Sequence, residues 1–283
     1  MPSIAARPRV VARKFVAALL LQSCLALGGC YYDSDDVTGS IKSAPTAVPT
    51  NDAELRTYAD ECGKRYDANP GDKVASINYA RALRALSRYD QAVAVMQSAA
   101  VKAPKDFEVL GAYGKALADA GQLQQAADVL SRSYVPENPD WSNMSAQGSV
   151  ADRLGDHAVA QEFYRAALKI APGEPSLLNN LGLSYLLNKQ LPQAEDVLRQ
   201  AAAKPTADRR VRGNLALALS LEGKFAEAEK VSQRDMTSEA AAANVAAIRR
   251  MIAQSNSWRQ IEMSARPAKE APAQPQDPGG PPG

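Results

Sequence analysis

Histidine is nearly absent from this sequence: His157 stands alone among 283 residues. Only three cysteines accompany it, Cys24, Cys30 and Cys62. One imidazole does not make an ordinary zinc site with the single thiol, Cys62, that lies outside the N-terminal segment, since such a site takes several Cys and His ligands. No Ser-His-Asp set sits with its nucleophile on a strained turn. There is no G-x-x-x-x-G-K-[ST] loop and no Rossmann glycine pattern on a strand. Paired carboxylates such as Asp35 and Asp36 lie in a polar stretch where nothing would raise a pKa. These absences argue against an enzyme, and no catalytic residue, metal or cofactor is expected. His157, just after Gly155-Asp156 at a helix start, is expected to face solvent. An excess of one charge sign is missing too, with 33 basic against 31 acidic side chains, so nucleic acid is not an expected partner. Long apolar runs are also lacking. The N-terminal one is too short and interrupted for a membrane span of about 20 residues.

What that N-terminal stretch does contain is ordered. Arg7, Arg9, Arg13 and Lys14 come first, and no acidic residue precedes Asp33. An apolar run from Phe15 to Leu21 follows, then Leu25-Ala26-Leu27, two glycines and Cys30. A basic region, an apolar region and small residues at a cut point form the pattern of a secretory signal. Leu27-Gly28-Gly29-Cys30 resembles a bacterial lipobox, where cleavage falls before the cysteine and the cysteine is acylated. Leu21-Gln22-Ser23-Cys24 fits less well, because Gln22 is large and polar. An ordinary cleaved signal or a signal anchor is the competing reading. By the lipobox resemblance, residues 1–29 are a signal peptide and Cys30 carries the lipid. Cys62 is then left without a disulfide partner and is expected to pack within a helix. The remaining chain has 29 basic and 31 acidic side chains, a net charge of −2. Residues 30–51, rich in Ser, Thr, Asp and Pro, read as a flexible tether. Tyr31 follows the cysteine where enteric inner-membrane lipoproteins usually carry Asp. That resemblance favours the periplasmic face of the outer membrane of a Gram-negative bacterium.

The body of the chain repeats every 34 residues. Ala92, Ala126, Ala160, Ala194 and Ala228 keep that step. So do the small residues Ala80, Gly114, Gly148, Gly182 and Ala216. Asp72, Asp106, Asp140 and Asp208 form a third series, with Glu174 in the gap. Each acidic residue precedes an apolar-periodic segment, where its oxygen can accept from free backbone N–H groups and complement the helix dipole. The small residues mark points where two antiparallel helices come close. Ala120-Gly121-Gln122, Leu154-Gly155-Asp156 and Glu222-Gly223-Lys224 turn the chain between helices. Pro104 and Pro172 stop the second helix of two repeats, with Pro205 and Pro139 one residue early and late.

These residues carry a resemblance to the tetratricopeptide repeat, most typically in LLNNLGLSYLLNKQLPQAEDVLRQAAAKP. The resemblance implies an all-α, right-handed superhelical solenoid of antiparallel helix pairs. Five repeats start at Lys73, Phe107, Trp141, Pro175 and Arg209 and occupy residues 73–242. Ser87 and Lys189 stand where the turn glycine belongs. Residues 52–70 resemble the second helix of a preceding half-repeat. Residues 238–258 form an alanine-rich capping helix, with Ser238 as its cap, Ile248 and Ile252 covering the last repeat, and Arg249 and Arg250 facing water. The Pro-rich segment 264–283 cannot bury a core and is expected to be disordered or extended.

In relatives that grip peptides, the first helices line a concave groove whose asparagines bond the peptide backbone. By that resemblance Asn180, Asn214 and Asn78, at one repeat position, and Asn179 beside Asn180 are groove candidates. Leu183 and Leu187, with Leu186 and Leu217, would supply an apolar floor. The competing reading is that these asparagines link neighbouring helices and the leucines are core. Arg81 and Arg84 occupy groove-like positions, but the two-carboxylate clamp of the chaperone-binding relatives is incomplete. The convex face is the alternative binding surface.

Anchor, DDVTGSI-containing tether and five repeats together resemble the tetratricopeptide lipoproteins of tight-adherence (Flp) pilus systems. That resemblance implies a non-catalytic scaffold with protein partners in the pilus or secretin apparatus, bound to the membrane through Cys30. A type IV pilus pilotin-like protein and an adaptor for cell-wall enzymes are the other readings.

Overall fold

A computed structural model describes residues 48–264. The signal, Cys30, nearly all of the tether and the Pro-rich tail lie outside the described residues. Those described form twelve helices and no strand. They are α1 (Asp52–Ala68), α2 (Lys73–Ala85), α3 (Tyr89–Lys102), α4 (Phe107–Asp119), α5 (Leu123–Ser131), α6 (Trp141–Leu154), α7 (His157–Ile170), α8 (Pro175–Leu187), α9 (Leu191–Ala202), α10 (Arg209–Leu221), α11 (Phe225–Ser232) and α12 (Ser238–Ser264). The chain divides into two compact units, one ending at Leu154 and the other beginning at Gly155.

The starts of the first helices follow from the acidic series. Asp72 accepts from Ala75 N–H at 2.6 Å, Asp106 from Glu108 N–H at 3.0 Å, and Asp140 from Ser142 N–H at 2.7 Å. Glu174 accepts from Ser176 N–H at 3.2 Å and Asp208 from Val211 N–H at 2.9 Å. Each satisfies a donor that the helix itself leaves open. Pro175 follows Glu174 in the first turn of α8, where its missing N–H costs nothing.

Three-residue turns join α2 to α3, α4 to α5, α8 to α9 and α10 to α11, which makes each an antiparallel pair. The middle turn residue has positive φ in every case: Ser87 +58°, Gly121 +79°, Lys189 +60° and Gly223 +81°. Only glycine adopts that geometry without a side-chain penalty.

Within the first unit, Leu83, Met96, Val109, Leu117, Leu130 and Val150 belong to one buried cluster. Cys62 packs with Ala59 and Ala82 beneath α1. In the second unit Leu178, Leu198, Val211, Leu215, Leu219 and Val245 form the core. The five periodic alanines from Ala92 to Ala228 are all fully buried. The pairs close up at the small residues. A Cβ added to Gly114 would lie 2.5 Å from Leu130 Cγ, and one added to Gly182 would lie 2.5 Å from Leu198 Cγ. One 34-residue step before Gly114 and one step after Gly182, alanine replaces glycine, and the partner position holds unbranched Met96 (for Ala80) or short Ser232 (for Ala216).

The far end corrects two expectations. Thr237, not Ser238, caps α12: its Oγ1 accepts from Ala240 N–H at 3.3 Å. The buried stripe is Ala241, Val245 and Ile248, while Ile252 is only partly buried. Arg249 is exposed but its guanidinium lies 5.1 Å from the Phe225 ring centre.

A charge network ties α9 to α11. Glu195 accepts from Arg199 at 2.7 Å and from Lys224 at 2.5 Å, and Arg199 also reaches Glu227 at 2.6 Å. Burial alone would raise the Glu195 pKa, but hydrogen bonds from the cations Lys224 and Arg199 outweigh it and bring the value to about 2.

Three outcomes are expected. Ser87→Gly and Lys189→Gly should each stabilise by up to about 1 kcal/mol in denaturant melts, and Gly121→Ala should cost about as much. A Cβ at Gly121 meets no neighbour, so that loss is backbone strain alone. Gly182→Ala should destabilise by about 1–3 kcal/mol through overpacking, and adding Leu198→Met should recover part of it; additive effects would refute the contact. The contribution of Glu195 should be complete above its ordinary value near 4.5 and decline as pH falls toward about 2. Glu195→Gln should accordingly flatten the stability–pH slope in that window, as read by thermal melts.

Candidate interaction face

Neighbouring first helices are cross-linked at a spacing of 35 residues, one repeat plus one. In the first unit, Arg84 Nε (α2) donates to Asp119 Oδ2 (α4) at 2.7 Å across that separation. Arg153 (α6) donates to the Ala118 carbonyl (α4) at the same separation. Buried Lys115 adds a bond from Nζ to Ser142 Oγ at 2.7 Å. Arg84, one of the two basic groove candidates, is thus committed to an ion pair between repeats.

The second unit uses amides at the same spacing. Asn214 Nδ2 (α10) donates to Asn179 Oδ1 (α8) at 2.7 Å, and Asn179 Nδ2 lies 3.5 Å from Asn180 Oδ1. Asn179 is 1% exposed, so it is an internal link between helices and not a surface contact. Asn180 and Asn214 remain partly exposed.

Leu183 and Leu217, one repeat apart, are partly buried. One turn further along each helix, Leu187 and Leu221 are 42% and 37% exposed. Leu186 instead packs against the core. The face of α8 and α10 therefore offers amides beside an apolar row, a surface suited to backbone hydrogen bonds and apolar side chains of a partner. Leu221 was not among the sequence candidates, although its equivalence to Leu187 was available from the repeat register. The cross-links were missed because a search for equivalent residues uses a step of 34, whereas partners are 35 apart.

Asn78 belongs to the first unit. With Cys62, Arg65, Asn69, Asp72 and Val74 it lines a cavity of 260 Å³. Cys62 is 2% exposed and burial pushes its thiol pKa up, which disfavours the nucleophilic thiolate. Burial likewise pushes Tyr58 up to about 12. His157 is partly buried, so the solvent-facing expectation holds only in part; its carbonyl accepts from Ser184 Oγ at 3.3 Å. Among the described residues no three His, Cys, Asp or Glu side chains are grouped to hold a metal. No helix among them is long and apolar enough to cross a membrane.

Residues 78–140 and 145–208 match the tetratricopeptide repeat family model. The chain is 30% identical over 92 residues to human (Homo sapiens) protein O-mannosyl-transferase TMTC1, a match covering 32% of this chain and 10% of that protein. Among solved structures it resembles PilW, a widely conserved type IV pilus biogenesis factor, with a TM-score of 0.57, 16% identity, and coverage of 65% of this chain and 86% of that one. It also resembles the APC/C hetero-tetramer Cut9–Hcn1 with a TM-score of 0.56, 19% identity, and coverage of 68% of this chain and 40% of that one. Over those matched residues the chain carries tetratricopeptide repeats, within an all-helical fold of the kind used as a protein–protein interaction scaffold.

Asn214→Ala should strand the buried Asn179 oxygen and cost about 1–3 kcal/mol in denaturant melts. Replacing both asparagines by leucine should cost less than that single change.

Proposed function

We propose that this protein is a non-catalytic scaffold, anchored by a lipid on Cys30 to the periplasmic face of the outer membrane, that assists assembly of a tight-adherence (Flp) pilus apparatus. Its partners on this reading are pilus or secretin components, engaged through the α8–α10 face of the second unit. The observation that carries the interaction reading is the exposed Leu187–Leu221 row beside Asn180 and Asn214. The anchor rests on the Leu27-Gly28-Gly29-Cys30 sequence, and the pilus assignment on the resemblance of anchor, tether and repeats. PilW shares the fold, and at 16% identity that likeness supports the scaffold alone. A lipid would hold the scaffold near membrane-borne partners and raise its effective concentration there.

A photo-crosslinking residue at Leu187, used in cells with mass spectrometry of the captured proteins, tests the reading. Capture of a secretin or pilus-assembly protein is expected, falling at least about tenfold when Cys30→Ser removes the anchor. Capture of cell-wall enzymes would replace the pilus assignment with the adaptor reading. Absence of any product at Leu187, with products from exposed positions on α9, would remove the α8–α10 face from the proposal.

A further inference from the structure

The segment Arg209-Arg210-Val211-Arg212 puts three arginines in the first turn of α10. The helix dipole disfavours cations there. Where the same thing happens once, at Lys73 in α2, the charge is answered by Asp106 at 3.2 Å and Glu108 at 2.6 Å. At α10 the compensation is only partial. Arg210 lies 3.5 Å from Asp208. Arg212 is held by Asp235, its Nε donating at 2.7 Å, and also donates to the Ala207 carbonyl at 2.7 Å. Arg234, in the turn between α11 and α12, adds a fourth guanidinium from a different part of the chain. Arg209 and Arg234 are both exposed, and neither has an ion pair or side-chain hydrogen bond among the described residues. The Arg212–Asp235 ion pair brings the residue next to Arg234 against the first turn of α10, which holds Arg209. The Arg212 hydrogen bonds hold Asp235 below the ordinary carboxylate range, and the charges of Arg209 and Arg234 act in the same direction.

We propose that this cluster, Arg209 and Arg210 of α10 with Arg234 of the α11–α12 turn, is a docking surface for an acidic peptide segment bearing at least two carboxylates. Two cations left over after internal pairing set the number of carboxylates. The guanidinium fork matches a carboxylate bidentately. An anionic membrane is the weaker fit, because lipid-binding patches generally gather four to eight basic residues. The surface also differs from the leucine row: at the α-helical rise, Arg209 lies about 12–18 Å along α10 from Leu217 and Leu221.

The test uses the full chain and a labelled synthetic peptide, YYDSDDVTGS, an acid-rich run matching residues 31–40, with fluorescence anisotropy as the readout. Arg209→Glu with Arg234→Glu should weaken binding at least about tenfold, as should raising ionic strength from about 0.05 to 0.3 M. An Asp→Asn version of the peptide should bind equally poorly. Arg249→Glu with Arg250→Glu, charge-matched and exposed on α12, should leave binding unchanged; helical circular dichroism confirms that both variants fold. The proposal is overturned if the peptide does not bind at millimolar concentration, or if both double variants weaken it alike. Binding to phosphatidylglycerol vesicles in place of the peptide, lost in the Arg209/Arg234 variant, would overturn it in favour of a lipid surface.

Discussion

Close approach of paired helices is the constraint on which the rest of this structure depends. At Gly114–Leu130 and Gly182–Leu198 a leucine occupies the space that a Cβ would need. Helices that meet this tightly leave little room for side-chain variety at the contact, so the small residue and its partner vary together. Gly114 and Gly182 stand where the partner position is leucine, alanine where it is Met96 or Ser232, and Gly148 where the same register places Tyr164. The fully buried alanine series reflects the same demand from the second helix of each pair. Once a pair closes, each remaining apolar side is buried by the next pair, and the repeat propagates.

Propagation needs a second kind of contact, between first helices of successive repeats, and there the two units differ. Charged and polar side chains make the links in the first unit: Arg84 with Asp119, Lys115 with Ser142. Amides make them in the second, with Asn214 bonded to Asn179. Amide links place no charge beside the leucines of α8 and α10, so this face can accept apolar groups without an accompanying charge to desolvate. Cations reappear at the opposite end of α10, where Arg209 and Arg234 stand in water. One helix thus carries an apolar end and a basic end.

Turn chemistry shows how far local rules bend. Ser87 and Lys189 adopt the left-handed conformation that Gly121 and Gly223 adopt freely. The pairs form regardless, since burial of a whole helix face outweighs a local strain of about 1 kcal/mol.

By itself, the sequence determined the helical class, the 34-residue register, the acidic caps and the small-residue contacts. All four depend on chemistry within one repeat, and repetition makes that chemistry visible five times over. The sequence also identified Asn180 and Asn214 as equivalents. Only the tertiary structure decided that Asn179 is consumed between helices, that Arg84 is paired with Asp119, and that Thr237 caps α12. It also decided that Leu186 turns to the core while Leu187 and Leu221 stay exposed. The physical reason is common to all of these. Periodicity reports which residues are equivalent, whereas exposure and pairing depend on what the neighbouring helix, one repeat away, places against them.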